Sequence, residues 1–203
     1  MLLTTKGKGA VIINKKCIAL EEQQYRKIIE LIRSGFILDG RKVKPNIRIA
    51  TILMLEATLG LRLGDVLSLR MDSFIKDGKR WRLDIIEAKT GKAREFTVPD
   101  GVYAFIQNYA YEQNIGKKAK LFNISARQVE RFLEGVCYVL GYQKVSTHSF
   151  RKYFASCIYL NSNYNLILVQ KLLQHSSVEV TRRYIGIASK EIEEALQNHT
   201  GLI

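Results

Sequence analysis

RWRLDIIEAKTGKAREFTVP, residues 80–99, is where the apolar period of this chain changes from helical to alternating. Trp81, Leu83 and Ile85 fall two apart, polar residues gather around Thr90-Gly91, and Phe96 and Val98 resume the alternation. Successive strand residues face opposite sides of a sheet, so this spacing lines one face of a pleated ribbon. The segment predicts two antiparallel strands joined by a tight basic turn, with Pro99 and Asp100 ending the sheet and starting a helix.

On both sides of this ribbon the pattern is helical. Upstream, IALEEQQYRKIIELIRSG (18–35) carries acids early, arginine late and Gly35 after its end, and KPNIRIATILMLEATLG (44–60) has Pro45 in a plausible first turn and Gly60 as its stop. A short helix is predicted in LRLGDVLSLRMDSF (61–74), with Leu63, Val66, Leu67 and Leu69 mostly on one side. Downstream, GVYAFIQNYAYEQN (101–114) and SARQVERFLEGVCYVLG (125–141) read as helices, the second opening with Ser125 and Gln128 in capping-box spacing. STHSFRKYFASCIYL (146–160), YNLILVQKLLQH (164–175) and SVEVTRRYI (177–185) add three more, and SKEIEEALQNH (189–199) closes as a short amphipathic helix. The expected class is mainly α with a small antiparallel β-sheet, an α+β arrangement. Residues 1–18 read as an N-terminal stub or interdomain linker, 19–186 as one domain, and 187–203 as a tail helix able to dock in an apolar groove of its own domain or of a neighbouring protomer.

Charge narrows the class of partner. Lys and Arg number 32 against 19 Asp and Glu, a net charge of +13, which suits a polyanion and predicts binding that weakens with salt. The basic residues are spread along the chain, so they do not form a disordered basic tail. No run of about 18 uncharged apolar residues exists, and the four-residue apolar run AVII near the N-terminus is too short for a secretory core, so a cytoplasmic protein without membrane attachment is expected. Cys17, Cys137 and Cys157 are an odd set with no metal-ligand spacing, which argues for reduced, packed thiols and no metal or other cofactor.

Several polar residues stand out against their apolar surroundings. His148 and Arg151, three apart on a helix, project from one face, and Arg62 sits between leucines with Asp65 as its local partner. Lys89 stands at the hairpin tip, where a flexible ammonium reaches a phosphate or leaving group. His175 ends one helix and Tyr184 follows nine residues on. Each alone has an ordinary structural reading: a capping pair, a structural ion pair, a solvated lysine, a half-buried aromatic.

In chain order, however, Arg62, Lys89, His148-x-x-Arg151, His175 and Tyr184 resemble the full catalytic set of the tyrosine recombinase (phage integrase) family. TLGLRLGDVLSLR (58–70) looks like its first-arginine box and KTGKAREFTVP (89–99) its lysine hairpin. THSFRKYFAS (147–156) is similar to its His-x-x-Arg box, and LLQHSSVEVTRRY (172–184) to its closing box. The resemblance runs from about residue 19 to 190. It implies the integrase-type catalytic fold over 19–186 and a DNA strand-exchange enzyme that joins a tyrosine to a 3′-phosphate.

That chemistry needs these residue types. Attack of a tyrosine oxygen on a phosphodiester builds negative charge, which two guanidiniums, Arg62 and Arg151, neutralise with paired planar donors, His175 adding a third donor. Tyr184 must lose a proton, and the resemblance implies that His148 assists. Lys89 would protonate the departing 5′-oxygen, and Asp65, where the family often has Glu, would orient Arg62 and the neighbouring histidine. Lys92, Arg94, Arg127 and Arg131 are further candidate DNA contacts. Partners implied are a specific double-stranded DNA site, other protomers in a tetrameric synapse with a monomer in the absence of DNA, and accessory DNA-bending proteins, with the protein nucleoid-associated through DNA. Integration, excision and inversion stay open, as do two rivals: a type IB topoisomerase activity, and a catalytically silent DNA-binding module.

Overall fold

Glycines and capping side chains divide residues 17–186, the part described in this computed structural model, into eight α-helices and five short strands. In order these are α1 (Glu22–Ser34), β1 (Phe36–Leu38), β2 (Arg41–Val43), α2 (Ile47–Leu59), α3 (Leu63–Ser68), β3 (Phe74–Asp77), β4 (Arg80–Ile86), β5 (Ala93–Val98), α4 (Asp100–Glu112), α5 (Ala126–Leu140), α6 (Thr147–Asn161), α7 (Leu166–Leu173) and α8 (Val178–Ile185). The mainly helical reading with a small antiparallel sheet holds. The readings for residues 1–16 and for the tail helix at 189–199 lie outside the described residues.

The centre of the molecule is α2, apolar almost all round and therefore buried on nearly every side, from Ile49 to Leu59. Asn46 caps it, its side-chain oxygen accepting from Ile49 N–H at 3.1 Å, which leaves Pro45 one residue outside the helix. Gly60 ends it in the left-handed region at φ 60, and a Cβ there would lie 2.3 Å from the Phe154 ring, so only glycine fits. Against α2 pack α1, with Ile28, Ile29 and Ile32 in the core, and α6, with Phe150, and the same core continues through Val129, Leu133 and Val136 of α5, which packs on α1 and α6. The Ser125–Gln128 capping box expected for α5 is formed in both directions.

The sheet departs from expectation in three ways. It has three strands, ordered β3-β4-β5, because Phe74–Asp77 pairs with β4 rather than extending α3, which is only six residues long. The β4–β5 connection, residues 87–92, is a six-residue loop rather than a tight turn. A separate hairpin, β1–β2, precedes α2, with Asp39 (φ 48) and Gly40 (φ 75) both left-handed at its tip, as a type I′ turn requires. Trp81 of β4 stacks on Tyr103 of α4 at an interplanar angle of 12°, tying the sheet to that helix.

The last two helices form their own small cluster. Val169 and Leu173 of α7 bury against Phe154 and Ala155 of α6, with Leu172, Tyr184 and Ile185 packed partly on them. Ser177 caps α8 by accepting from Val180 N–H at 3.2 Å. The nucleophile candidate therefore rides on a short helix attached through α6, apart from the main core.

Candidate active site

The β4–β5 loop anchors the cationic half of the site. Along β4 the inward parity of Leu83 and Ile85 continues to Glu87, a carboxylate with no exposure at all. Its Oε2 accepts from Arg62 Nη1 at 2.5 Å and from Thr90 Oγ1 at 2.8 Å, and its Oε1 from Arg94 Nη1 at 3.0 Å. Burial alone would raise this carboxyl, but the hydrogen bonds from Thr90, Arg62 and Arg94 outweigh it and hold Glu87 below the usual range.

This arrangement corrects two expectations. Arg62 takes its hydrogen-bonded partner from Glu87, and the expected Asp65 is the more distant partner of the ion pair, its Oδ2 3.9 Å away. The reason is local: Arg62 is the extended N-cap residue of α3, so helical three-residue spacing does not apply to it. Asp65 instead accepts from Ala88 N–H at 3.0 Å, holding the loop that carries Lys89. The second correction is Arg94, expected among the DNA contacts. It shares inward parity with Phe96 and Val98, is 2% exposed, and donates inward to Glu87 and to the carbonyls of Leu59, Gly60 and Leu172. Arg94 is a buried brace, leaving no guanidinium for DNA.

Arg151 is the other deep cation. It lies in the first turns of α6 and is 1% exposed. It donates to the Gly60 carbonyl and, at 2.9 Å, to the Leu173 carbonyl. Burial, reinforced by the charge of Arg94, pushes it down to about 10, still cationic at neutral pH. These carbonyl bonds fix the guanidinium before any anion arrives, which is the preorganisation that favours charge developing in a transition state.

Tyr184 stands between two imidazoles. Its ring meets His175 edge to face at a centroid distance of 4.9 Å and His148 at 5.8 Å. Its hydroxyl is buried without a hydrogen-bond partner, and burial pushes it up to about 12 against the opposing pull of Arg151. Burial, then Arg151 and Arg62, push His175 down to about 4, so it is neutral at pH 7. Thr181 Oγ1 donates to the Ser177 carbonyl at 3.2 Å and so faces His175 Nδ1, 3.1 Å away, with lone pairs. That bond assigns the proton to Nδ1 and leaves Nε2 as an acceptor. His148, exposed at the start of α6, is lowered by partial desolvation and then by Arg151, Lys152, Arg62 and Lys89.

Arg62, His148, Arg151, His175 and Tyr184 thus share one electrostatic cluster, and Lys89 stands exposed on the loop above it. Lys92 is exposed on the same loop, while Arg127 and Arg131 are exposed on α5, outside the cluster. Sequence reasoning missed Glu87, Thr90 and Thr181. Strand parity was a sufficient signal for Glu87, whereas nothing local marks the other two. Among the described residues no group of His, Cys, Asp or Glu is placed to hold a metal ion, and no helix is long and apolar enough to cross a membrane.

Comparison with known proteins supplies the wider frame. Residues 18–191 match the model described as the phage integrase family. The chain is 28% identical over 149 residues to the probable integrase/recombinase YoeC of Bacillus subtilis, covering 70% of this chain and 79% of that one. Its fold is similar to the XerH site-specific recombinase bound to palindromic difH substrate in a post-cleavage complex, with a TM-score of 0.66 and 20% identity, covering 90% of this chain and 53% of that one. It is also similar to the catalytic domain of bacteriophage HP1 integrase, with a TM-score of 0.62 and 19% identity, covering 89% of this chain and 94% of that domain. The chain therefore spans about half of the XerH chain and nearly all of an isolated catalytic domain.

Proposed function

From the premise that this chain belongs to the phage integrase family, we propose that it cleaves and rejoins double-stranded DNA at a specific site, with Tyr184 as nucleophile. The observation that carries the reading is the convergence on the Tyr184 ring of His148 and His175, with the preset guanidinium of Arg151 close enough to act on its hydroxyl. The tyrosine oxygen forms a bond to the scissile phosphorus and the bond to the 5′-oxygen breaks. The phenolic proton passes to an imidazole, His148 by family resemblance, and Lys89 protonates the leaving 5′-oxygen. Arg62 and Arg151 hold the phosphoryl oxygens, and His175, whose Nε2 takes a proton from solvent as the arriving phosphate's negative charge favours the imidazolium, adds a donor. The 3′-phosphotyrosine keeps the energy of the broken bond, so a 5′-hydroxyl of another strand reseals it by the reverse sequence.

Exposed Lys89 and Lys92, then Arg127 and Arg131, are the DNA contacts we infer around this centre. Several protomers would assemble on DNA, with four in a synapse, a monomer in its absence, and accessory DNA-bending proteins shaping the site. The tail at 187–203 would dock on its own domain or a neighbour's, with 19–186 as the catalytic domain and 1–18 as stub or linker.

The test is covalency. Incubating the chain with a random-sequence pool of nicked duplexes and recovering SDS-stable adducts should enrich one site, and Tyr184→Phe should yield none. An adduct formed by Tyr184→Phe removes the assigned nucleophile. Retention of duplex without any adduct makes the chain a silent binding module, and relaxation of plasmid lacking the recovered site makes it a topoisomerase.

A further inference from the structure

Lys152 follows Arg151 on α6 but points elsewhere, since neighbouring helical residues do not share a face. It is 7% exposed, an uncommon depth for a lysine, and no carboxylate among the described residues pairs with it. Two other groups take its charge. Its ammonium donates to the Cys17 carbonyl at 2.6 Å, and it stands 5.3 Å from the centroid of the Tyr184 ring. A desolvated ammonium held by one carbonyl and one aromatic face ties those two groups to each other. In the segment at Cys17, Ile18 N–H donates to the Lys144 carbonyl at 3.2 Å, and Leu20, three residues on, is buried in the main core. Cys17, Ile18, Lys152, Arg183 and Tyr184 line one groove of about 730 Å³, so the segment, the lysine and the tyrosine face a common space.

We propose that Lys152 is a positioning residue that latches the Tyr184 ring to the chain segment at Cys17 and Ile18, so that displacement of that segment changes the presentation of the nucleophile. The proposal rests on the reading of Tyr184 as nucleophile for its consequence in catalysis, though not for the latch itself. Lysine is suited to the task because its ammonium bonds a backbone carbonyl and an aromatic face at once. Methionine keeps the stem and loses both interactions, whereas arginine keeps the cation. Because one of the partners is backbone, no side-chain change at position 17 substitutes for the lysine.

The test compares Lys152→Met and Lys152→Arg with the wild-type chain. Tetranitromethane labelling, read peptide by peptide, should nitrate the sheltered Tyr184 several-fold faster in Lys152→Met, with faster hydrogen exchange at Ile18 and Ala19. On duplexes recovered by wild-type covalent capture, adduct formation should slow about tenfold or more while duplex affinity stays within about twofold, the mark of misplacement rather than a lost DNA contact. Lys152→Arg should restore most of each. Unchanged Tyr184 nitration in Lys152→Met overturns the latch, and equal losses in affinity and adduct formation make Lys152 a phosphate contact instead. If the wild-type chain forms no adduct, the function reading fails while nitration and exchange still decide the latch. Lys152→Gln serves for the same readings should the methionine variant unfold.

Discussion

The two halves of the site are held in unlike ways. The guanidinium half is knitted into the main core: Arg62 and Arg94 grip the two oxygens of Glu87, and Arg151 and Arg94 bind backbone carbonyls at the end of α2. The tyrosine half rides on α7 and α8, whose buried apolar contacts are the small cluster of Phe154, Ala155, Val169 and Leu173, with Arg94 and Arg151 bonding the Leu172 and Leu173 carbonyls of α7. In the first half each guanidinium has at least one hydrogen-bonded partner, although Arg94 Nε and Asp65 Oδ2 are left over, while in the second the Tyr184 hydroxyl, its one polar side-chain group, is buried and unpartnered. On the proposed function, the contrast teaches that the groups that would receive the phosphate are preset in the free protein. The proposed nucleophile, by contrast, sits where fewer apolar side chains are packed, so that a shift costs few contacts.

Four changes break or sharpen this contrast. Glu87→Ala takes the carboxylate from the buried Arg94 and the part-buried Arg62 and should cost about 3–5 kcal/mol of folding stability in urea denaturation. A loss below 1 kcal/mol would show that the cationic half is not held by this carboxylate. Arg62→Ala removes one preset charge at a partly exposed position. It should slow adduct formation about 10²–10³-fold, or about 3–4 kcal/mol, with a much smaller loss of duplex affinity. Equal losses would reduce Arg62 to docking.

The third change is pH, which addresses the tyrosine half. His175 is held near 4 in the folded chain and lies near 6.5 when unfolded, so the unfolded state binds more protons between those values. Stability is therefore full above about 6.5 and falls as pH drops toward 4. The His175 share at pH 4.5 should be on the order of 1–2 kcal/mol after allowance for partial exposure, and His175→Gln should abolish that share of the slope. A slope identical in His175→Gln would contradict a buried neutral imidazole. Smallest, Ser177→Ala removes the α8 cap and should cost about 1 kcal/mol, with faster hydrogen exchange confined to α8. Spread of that effect into α2 would erase the distinction between the halves.

Legibility in the sequence followed the range of the forces. Helices with glycine stops and capping residues were readable because both signals are local: Ser125–Gln128 and Gly141 bracket α5 as expected. The β1–β2 hairpin escaped because each strand has only three residues, too few to show alternation, although Asp39-Gly40 is the dipeptide such a turn favours. Within the site, ordered boxes picked out Arg62, His148, Arg151, His175 and Tyr184 without saying what holds them. Glu87 was missed and Arg94 misjudged as a DNA contact for one shared reason: charged residues are ordinarily at the surface, whereas strand parity turned both inward, where each pairs with the other. The bond from His175 to Thr181 depends on a loop geometry that no spacing rule conveys.

The Gly60 carbonyl has one further consequence. It accepts Arg94 from 34 residues downstream and Arg151 from 91 residues downstream, so the cationic pocket closes only when segments distant in the chain have met at a single oxygen. Closure of this pocket is therefore a property of the finished tertiary fold rather than of any one segment, and under the proposed function so is the capacity to break DNA.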